Sequence, residues 1–113
     1  NRIIHTLTQE GKIYLRAWSK KPVNQPSIKD DLMVKFYALE NMDISALKEQ
    51  LLIRVDKHKD LLSRYYRIKE KYYDGKNLDL TQKGKLIVLE MGIHTELYNI
   101  ERIEDSLSKI GKL

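Results

Sequence analysis

The sequence predicts an all-α protein of four helices. The last two form a long antiparallel coiled-coil-like hairpin, and one strand-like segment precedes them all. Three observations carry this reading. Ile44, Leu47, Leu51, Val55, His58, Leu62 and Tyr65 step by three or four, a heptad seam that Leu61, Ile68 and Tyr72 widen. Leu86, Leu89, Ile93, Leu97, Ile100 and Leu107 repeat that stepping further on, with Ile103 and Ile110 beside them. Between the two runs, Asp74-Gly75-Lys76-Asn77 has the composition of a tight turn.

In chain order, Arg2 to Thr8 alternates like a strand, with Ile3, His5 and Leu7 on one face and Ile4, Thr6 and Thr8 on the other. A lone strand leaves its backbone groups unpaired, so a partner strand upstream is expected. Thr8 then reads as a helix N-cap, with Glu10 favouring the positive end of the helix dipole. This first helix carries Tyr14, Leu15 and Trp18 on one side and runs to about Lys20, before Pro22 and Pro26 break the chain.

Ser27-Ile28-Lys29-Asp30 resembles a capping box and predicts a second helix with the stripe Ile28, Leu32, Phe36 and Leu39, ending near Asn41. Asp43 is placed to cap the third helix, with Met42 and Leu47 as a hydrophobic staple. The fourth helix starts near Asp79 or Thr81. Gly84 and Gly92 lie inside it, each costing about 1 kcal/mol relative to Ala, so close helix approach is the expected reason for both.

A third helix of about 30 residues is about 45 Å long. A compact domain of this length is only about 30 Å across. The helices therefore project as a hairpin, and a single hairpin covers one flank of each broad stripe. The uncovered flank predicts a homodimer through Leu47, Leu51, Val55, Leu62, Leu86, Leu89, Ile93, Leu97, Ile100 and Leu107.

Composition narrows the chemistry. The 113 residues include no cysteine, which removes disulfide frameworks and thiol catalysis. No apolar run approaches the roughly 20 residues of a membrane span. The net charge of +5 is a mild basic excess, compatible with anionic partners. His5, His58 and His94 are not at metal-ligand spacing, so no metal and no cofactor is expected. His58 sits in the apolar seam and reads as a packed residue, and His94 reads as a surface contact of Glu90. No phosphate-binding glycine loop or nucleophile elbow occurs. Tyr65-Tyr66 and Tyr72-Tyr73 either pack in the core with their hydroxyls in water or line a small-molecule pocket near the hairpin tip. Lys12, Arg16, Lys20 and Lys21 form a basic cluster that reads first as a solvated face.

The run Arg2…Leu7-Thr8-x-x-Gly11-x-x-x-Leu15-x-x-Trp18 resembles a junction in PadR-family transcriptional regulators. There the last strand of a winged-helix wing enters the first helix of the C-terminal domain. His5 stands where that family commonly has Tyr, and Ser19 where an apolar residue is usual. The run Pro26 to Lys35 and the later helices, with Tyr72-Tyr73 before the turn, resemble the virulence-activator-alpha type of C-terminal domain. Arg102 departs from the Trp that relatives often carry.

The resemblance implies residues 1–8 as the remnant of the wing strand and residues 9–113 as a C-terminal helical dimerisation domain. It implies a cytoplasmic, homodimeric regulator that reads DNA through an N-terminal winged helix upstream. Arg2 would contact the DNA backbone. A small aromatic effector is a further implied partner, with Trp18, Tyr65 and Tyr72 as its candidate pocket. No catalysis and no membrane partner are implied. Two other readings stay open: a helical protein–protein adaptor, and an all-α enzyme of the chorismate mutase kind using Arg54, Arg64 and Arg67.

Overall fold

A computed structural model describes residues 7–23 and 30–112. The expected strand Arg2–Thr8 falls almost wholly outside the described residues, as do Arg2 and the cap Ser27. The chain divides into two compact units, residues 1–34 and 35–113. Among the described residues the secondary structure is helical, four α-helices and one 3-10 turn.

In the first unit α1 spans Gln9–Trp18. The Thr8 hydroxyl accepts from the Gly11 N–H at 3.0 Å, satisfying one of the orphan donors of the first turn. Glu10 lies in that turn and Arg16 in the last, both favourable to the helix dipole. The helix stops two residues earlier than its sequence suggests. The Ser19 hydroxyl donates to the Arg16 carbonyl at 2.6 Å, closing the end before Pro22.

The second helix, α2 (Asp31–Tyr37), is shorter than expected at both described ends. The Asp30 side chain accepts from the Leu32 N–H at 2.9 Å. After Tyr37 the chain winds as a 3-10 turn, Leu39–Asn41, and Met42 is extended. The reason is the next helix: its N-cap needs an extended approach, so α2 cannot run on to Asn41.

The second unit is dominated by α3 (Ile44–Tyr72) and α4 (Leu80–Ile110), which pack against each other as an antiparallel hairpin. At 1.5 Å per residue each is about 45 Å long. Asp43 caps α3 through the Ala46 N–H at 3.1 Å. Asp79 and Gln82 form a reciprocal capping box on α4, with bonds of 2.8 and 3.0 Å. The turn between the helices passes through Gly75 at φ +70°, the left-handed region where a side chain is strained.

The core of the hairpin is Leu47, Leu51 and Val55 from α3 with Ile93, Ile103 and Ile110 from α4. Burying each such side chain stabilises by roughly 1.5–3 kcal/mol. Toward the turn the seam loosens: Leu62, Tyr65, Leu86 and Leu89 are half-buried. Among the described residues no helix is long and apolar enough to cross a membrane.

Candidate interaction surfaces

The heptad seam carries one polar layer. His58 Nδ1 is hydrogen-bonded to Glu96 Oε2 across the hairpin. Glu96 is only 7% exposed, on a face otherwise made of Leu and Ile. The bond is an ion pair when the imidazole is protonated and a neutral hydrogen bond when it is not. Either way it supplies the partner that a buried carboxylate needs. Glu96 is the residue that stripe counting misses. The seam positions are Ile93, Glu96, Ile100 and Ile103, so the acid takes a place where Leu97 is the nearest apolar residue in sequence. Leu97 itself is 42% exposed.

One turn from this layer, Tyr65 packs over Gly92. A Cβ built on Gly92 lies 3.1 Å from the Tyr65 ring, so the expected close approach holds there. It does not hold at Gly84, whose Cβ would meet nothing within 4 Å. The reason is orientation: the helical period turns Gly84 to the side of α4 opposite the seam.

The residues expected to dimerise separate into three groups. Leu47, Leu51, Val55 and Ile93 are buried inside the hairpin, Leu62, Leu86, Leu89, Ile100 and Leu107 are half-buried along it, and Leu97 is exposed. The apolar surface left open on α4 consists of Leu80, Ile87, Val88, Met91 and Tyr98, which the sequence stripes did not include. These share one side of the helix, with Gly84 and Thr95 at the positions between them, and form an outer face. Arg102 continues it, with its guanidinium 6.0 Å from the Tyr98 ring.

The tyrosines lie around the hairpin tip. Tyr65 is half-buried against Gly92, while Tyr66 and Tyr72 are exposed. Trp18 belongs to the first unit and is exposed on α1. A cavity of about 170 Å³ lies at the other end of the hairpin, lined by Lys35, Met42, Asp43, Ala46, Leu47 and Gln50. There the Lys35 ammonium donates to Gln50 Oε1 at 2.9 Å. Met42 and Leu47, the expected staple, share this lining. His94 is exposed and makes no bond to Glu90. Arg64 and Arg67 are exposed and Arg54 is half-buried. Among the described residues no three His, Asp or Glu side chains gather as metal ligands.

Residues 28–110 match the family described as virulence activator alpha C-term. Solved structures share the fold. The Vibrio cholerae virulence activator AphA superposes with a TM-score of 0.82 at 23% identity, over 95% of this chain and 64% of that one. Bacillus subtilis PadR, solved in complex with p-coumaric acid, gives 0.77 at 24% identity, over 93% and 65%. A PadR-like transcriptional regulator of Bacillus cereus gives 0.72 at 17% identity, over 94% and 61%. The chain thus spans under two thirds of each of these proteins. No curated protein matches the sequence.

Proposed function

We propose, since this chain belongs to the virulence activator alpha C-terminal family, that it is the dimerisation domain of a PadR-like transcriptional regulator. The supporting observation is the outer face of α4. Leu80, Ile87, Val88 and Met91 are all more than 60% exposed, a contiguous apolar surface that water does not stabilise. A second copy of the chain covers it by the same patch on both sides, as a two-fold interface requires. The dimer sets the distance between two winged helices, carried by the longer protein, that read the halves of a symmetric DNA site in the cytoplasm. Arg2, in the wing, adds a backbone contact.

An effector role is the second part of the proposal. One relative in fold was solved with p-coumaric acid. Tyr65 and Tyr72 of the second unit would supply apolar, hydrogen-bonding walls for an aromatic acid of that class. Calorimetric titration with aromatic acids tests it, and a flat titration across the series removes this part.

Light scattering across a concentration series tests the dimer. The unmodified chain is expected at twice its 13.4 kDa mass. Ile87→Asp with Met91→Asp is expected to give a monomer of unchanged helix content, because both sites are exposed in the single chain. A wild-type monomer at all concentrations would overturn the reading and favour an adaptor that covers the face with a different protein.

A further inference from the structure

Charge is segregated along the hairpin. Residues 64–85, which form its tip, hold seven lysines and arginines against three acids, +4 of the chain's formal +5. Elsewhere the charges nearly balance, fourteen lysines and arginines against thirteen acids, and three of those cations sit beside acids: Lys59 with Glu104 at 3.3 Å, Lys109 with Asp105 at 3.0 Å, and Arg102 with Glu101 at 3.4 Å. At the tip, Arg64, Arg67, Lys76, Lys83 and Lys85 are exposed and have no ion-pair partner among the described residues. Lys69 has one, Asp74 at 3.6 Å. Lys71 instead lies 5.3 Å from the Tyr72 ring centroid. Glu70, Asp74 and Asp79 lie among these cations and leave the tip with a net +4.

Position along α3 sharpens the pattern. Arg64, Arg67 and Lys71 stand at three- and four-residue spacing, so they form one stripe. The seam residues Val55, Leu62 and Tyr65 lie toward the other side of the helix. The stripe therefore faces away from α4 and leaves that helix's apolar outer face free for another use. Tyr66 and Tyr72 flank it at 46% and 54% exposure.

Unpaired guanidinium forks match the oxygens of phosphodiesters, and exposed tyrosine hydroxyls hydrogen-bond to phosphate oxygens. The geometry points to the hairpin tip as a docking surface for the backbone of duplex DNA. Arg64, Arg67 and Lys71 make the phosphate contacts, and Lys76, Lys83 and Lys85 strengthen the local field. The contact carries no base readout, so it is independent of sequence. It rests on the regulator reading for the choice of DNA over other polyanions. In such a regulator it adds a second hold on DNA beside the winged helix.

The test uses this 113-residue chain and a fluorescent mixed-sequence duplex of about 30 base pairs, long enough to span several phosphate contacts. Affinity is measured against salt concentration. Binding that weakens with salt is expected. Joint Arg64→Ala, Arg67→Ala and Lys71→Ala should lower the log–log salt slope by about 0.9 for each lost contact, about 3 in all, and weaken binding about tenfold or more at low salt. Circular dichroism should not change, because the sites are exposed and Ala is the best helix former. Lys57→Ala with Lys112→Ala, two exposed cations away from the tip, should change the slope little. The proposal falls if the duplex does not bind at low salt, or if the control pair weakens binding as much as the triple. It falls equally if polyglutamate binds through these residues and DNA does not, which would give the surface to an acidic polypeptide. Failure of the dimerisation reading is seen separately, as a monomeric mass in light scattering, and leaves the salt slope where it was.

Discussion

At the scale of single residues, His58 and Glu96 are unequal partners. Glu96 is nearly inaccessible, whereas the His58 side chain keeps 20% of its surface in water. Removing one member of a buried pair leaves the other unpaired, at about 3–5 kcal/mol when both are fully buried. His58→Ala strands the deeper group and is expected to cost about 2–4 kcal/mol in urea unfolding. Glu96→Ala leaves an imidazole that reaches solvent and should cost less. Joint replacement by Leu is expected to be neutral or stabilising, as for other buried pairs exchanged for apolar residues. The glycines give a second contrast. Gly84→Ala should stabilise by up to about 1 kcal/mol, since the new methyl meets nothing. At Gly92 the methyl presses on the Tyr65 ring at 3.1 Å, so the gain should be cancelled or reversed. The difference in melting temperature between the two variants reads the cost of that contact. Sequence alone treated these glycines alike, because it shows that a glycine lies within a helix but not which side its Cα faces. It passed over Glu96 for a related reason: an acid at a seam position is invisible to a search for apolar spacing.

At the scale of elements, what was legible followed local rules. Thr8 and Asp43 cap helices where the sequence placed them, and Asp79 is one of the two starts it offered for α4, because capping involves only residues two or three apart. Asp79→Ala removes the side-chain half of the box on α4, leaving Gln82 Oε1 to accept from the backbone N–H of residue 79, and is expected to cost about 1 kcal/mol. The extent of α2 was not legible, because it ends where α3 needs an extended approach, a demand from outside its own stripe. Near the far end of α4, Asp105 is held below its ordinary value of 3.8. The hydrogen bond from Lys109 is the main cause, the charges of Lys109 and Arg102 add to it, and slight burial opposes it. A carboxyl lowered in the folded state stabilises the fold above its unfolded value and loses that effect as pH falls through the folded one. Wild type should therefore melt above Asp105→Asn when the pH is above 3.8, and the gap should close as the pH drops below it. A gap that stays constant through acid would mean that the Lys109 contact does not act through charge.

At the scale of the whole molecule, the hairpin and its core were legible because heptad spacing survives a few polar interruptions over helices this long. The outer face of α4 was not, because seam and outer residues interleave in the sequence and only the packing of α3 decides which set is covered. That face also bears on orientation in the proposed homodimer. Lys83 and Lys85 flank the start of its apolar run, and Glu101, Arg102 and Glu104 lie at its far end with a net charge of −1. Parallel pairing sets lysine against lysine. Antiparallel pairing sets the lysines of one copy near the partner's Glu101 and Glu104, and complementary charge of this kind selects orientation more than it adds affinity. The apolar run from Leu80 to Tyr98 is centred near Leu89, so the two copies of α4 should cross there. The chain has no cysteine, so a spin label on Lys83→Cys is unique in each copy. Six residues separate it from the crossing point. At 1.5 Å per residue the two labels should lie about 20 Å apart in the antiparallel dimer, against about 10 Å for parallel helices at packing distance. Pulsed electron resonance separates these values. The short distance would keep the dimer but reverse its orientation, and so show that the apolar face, not its flanking charges, governs how the copies meet.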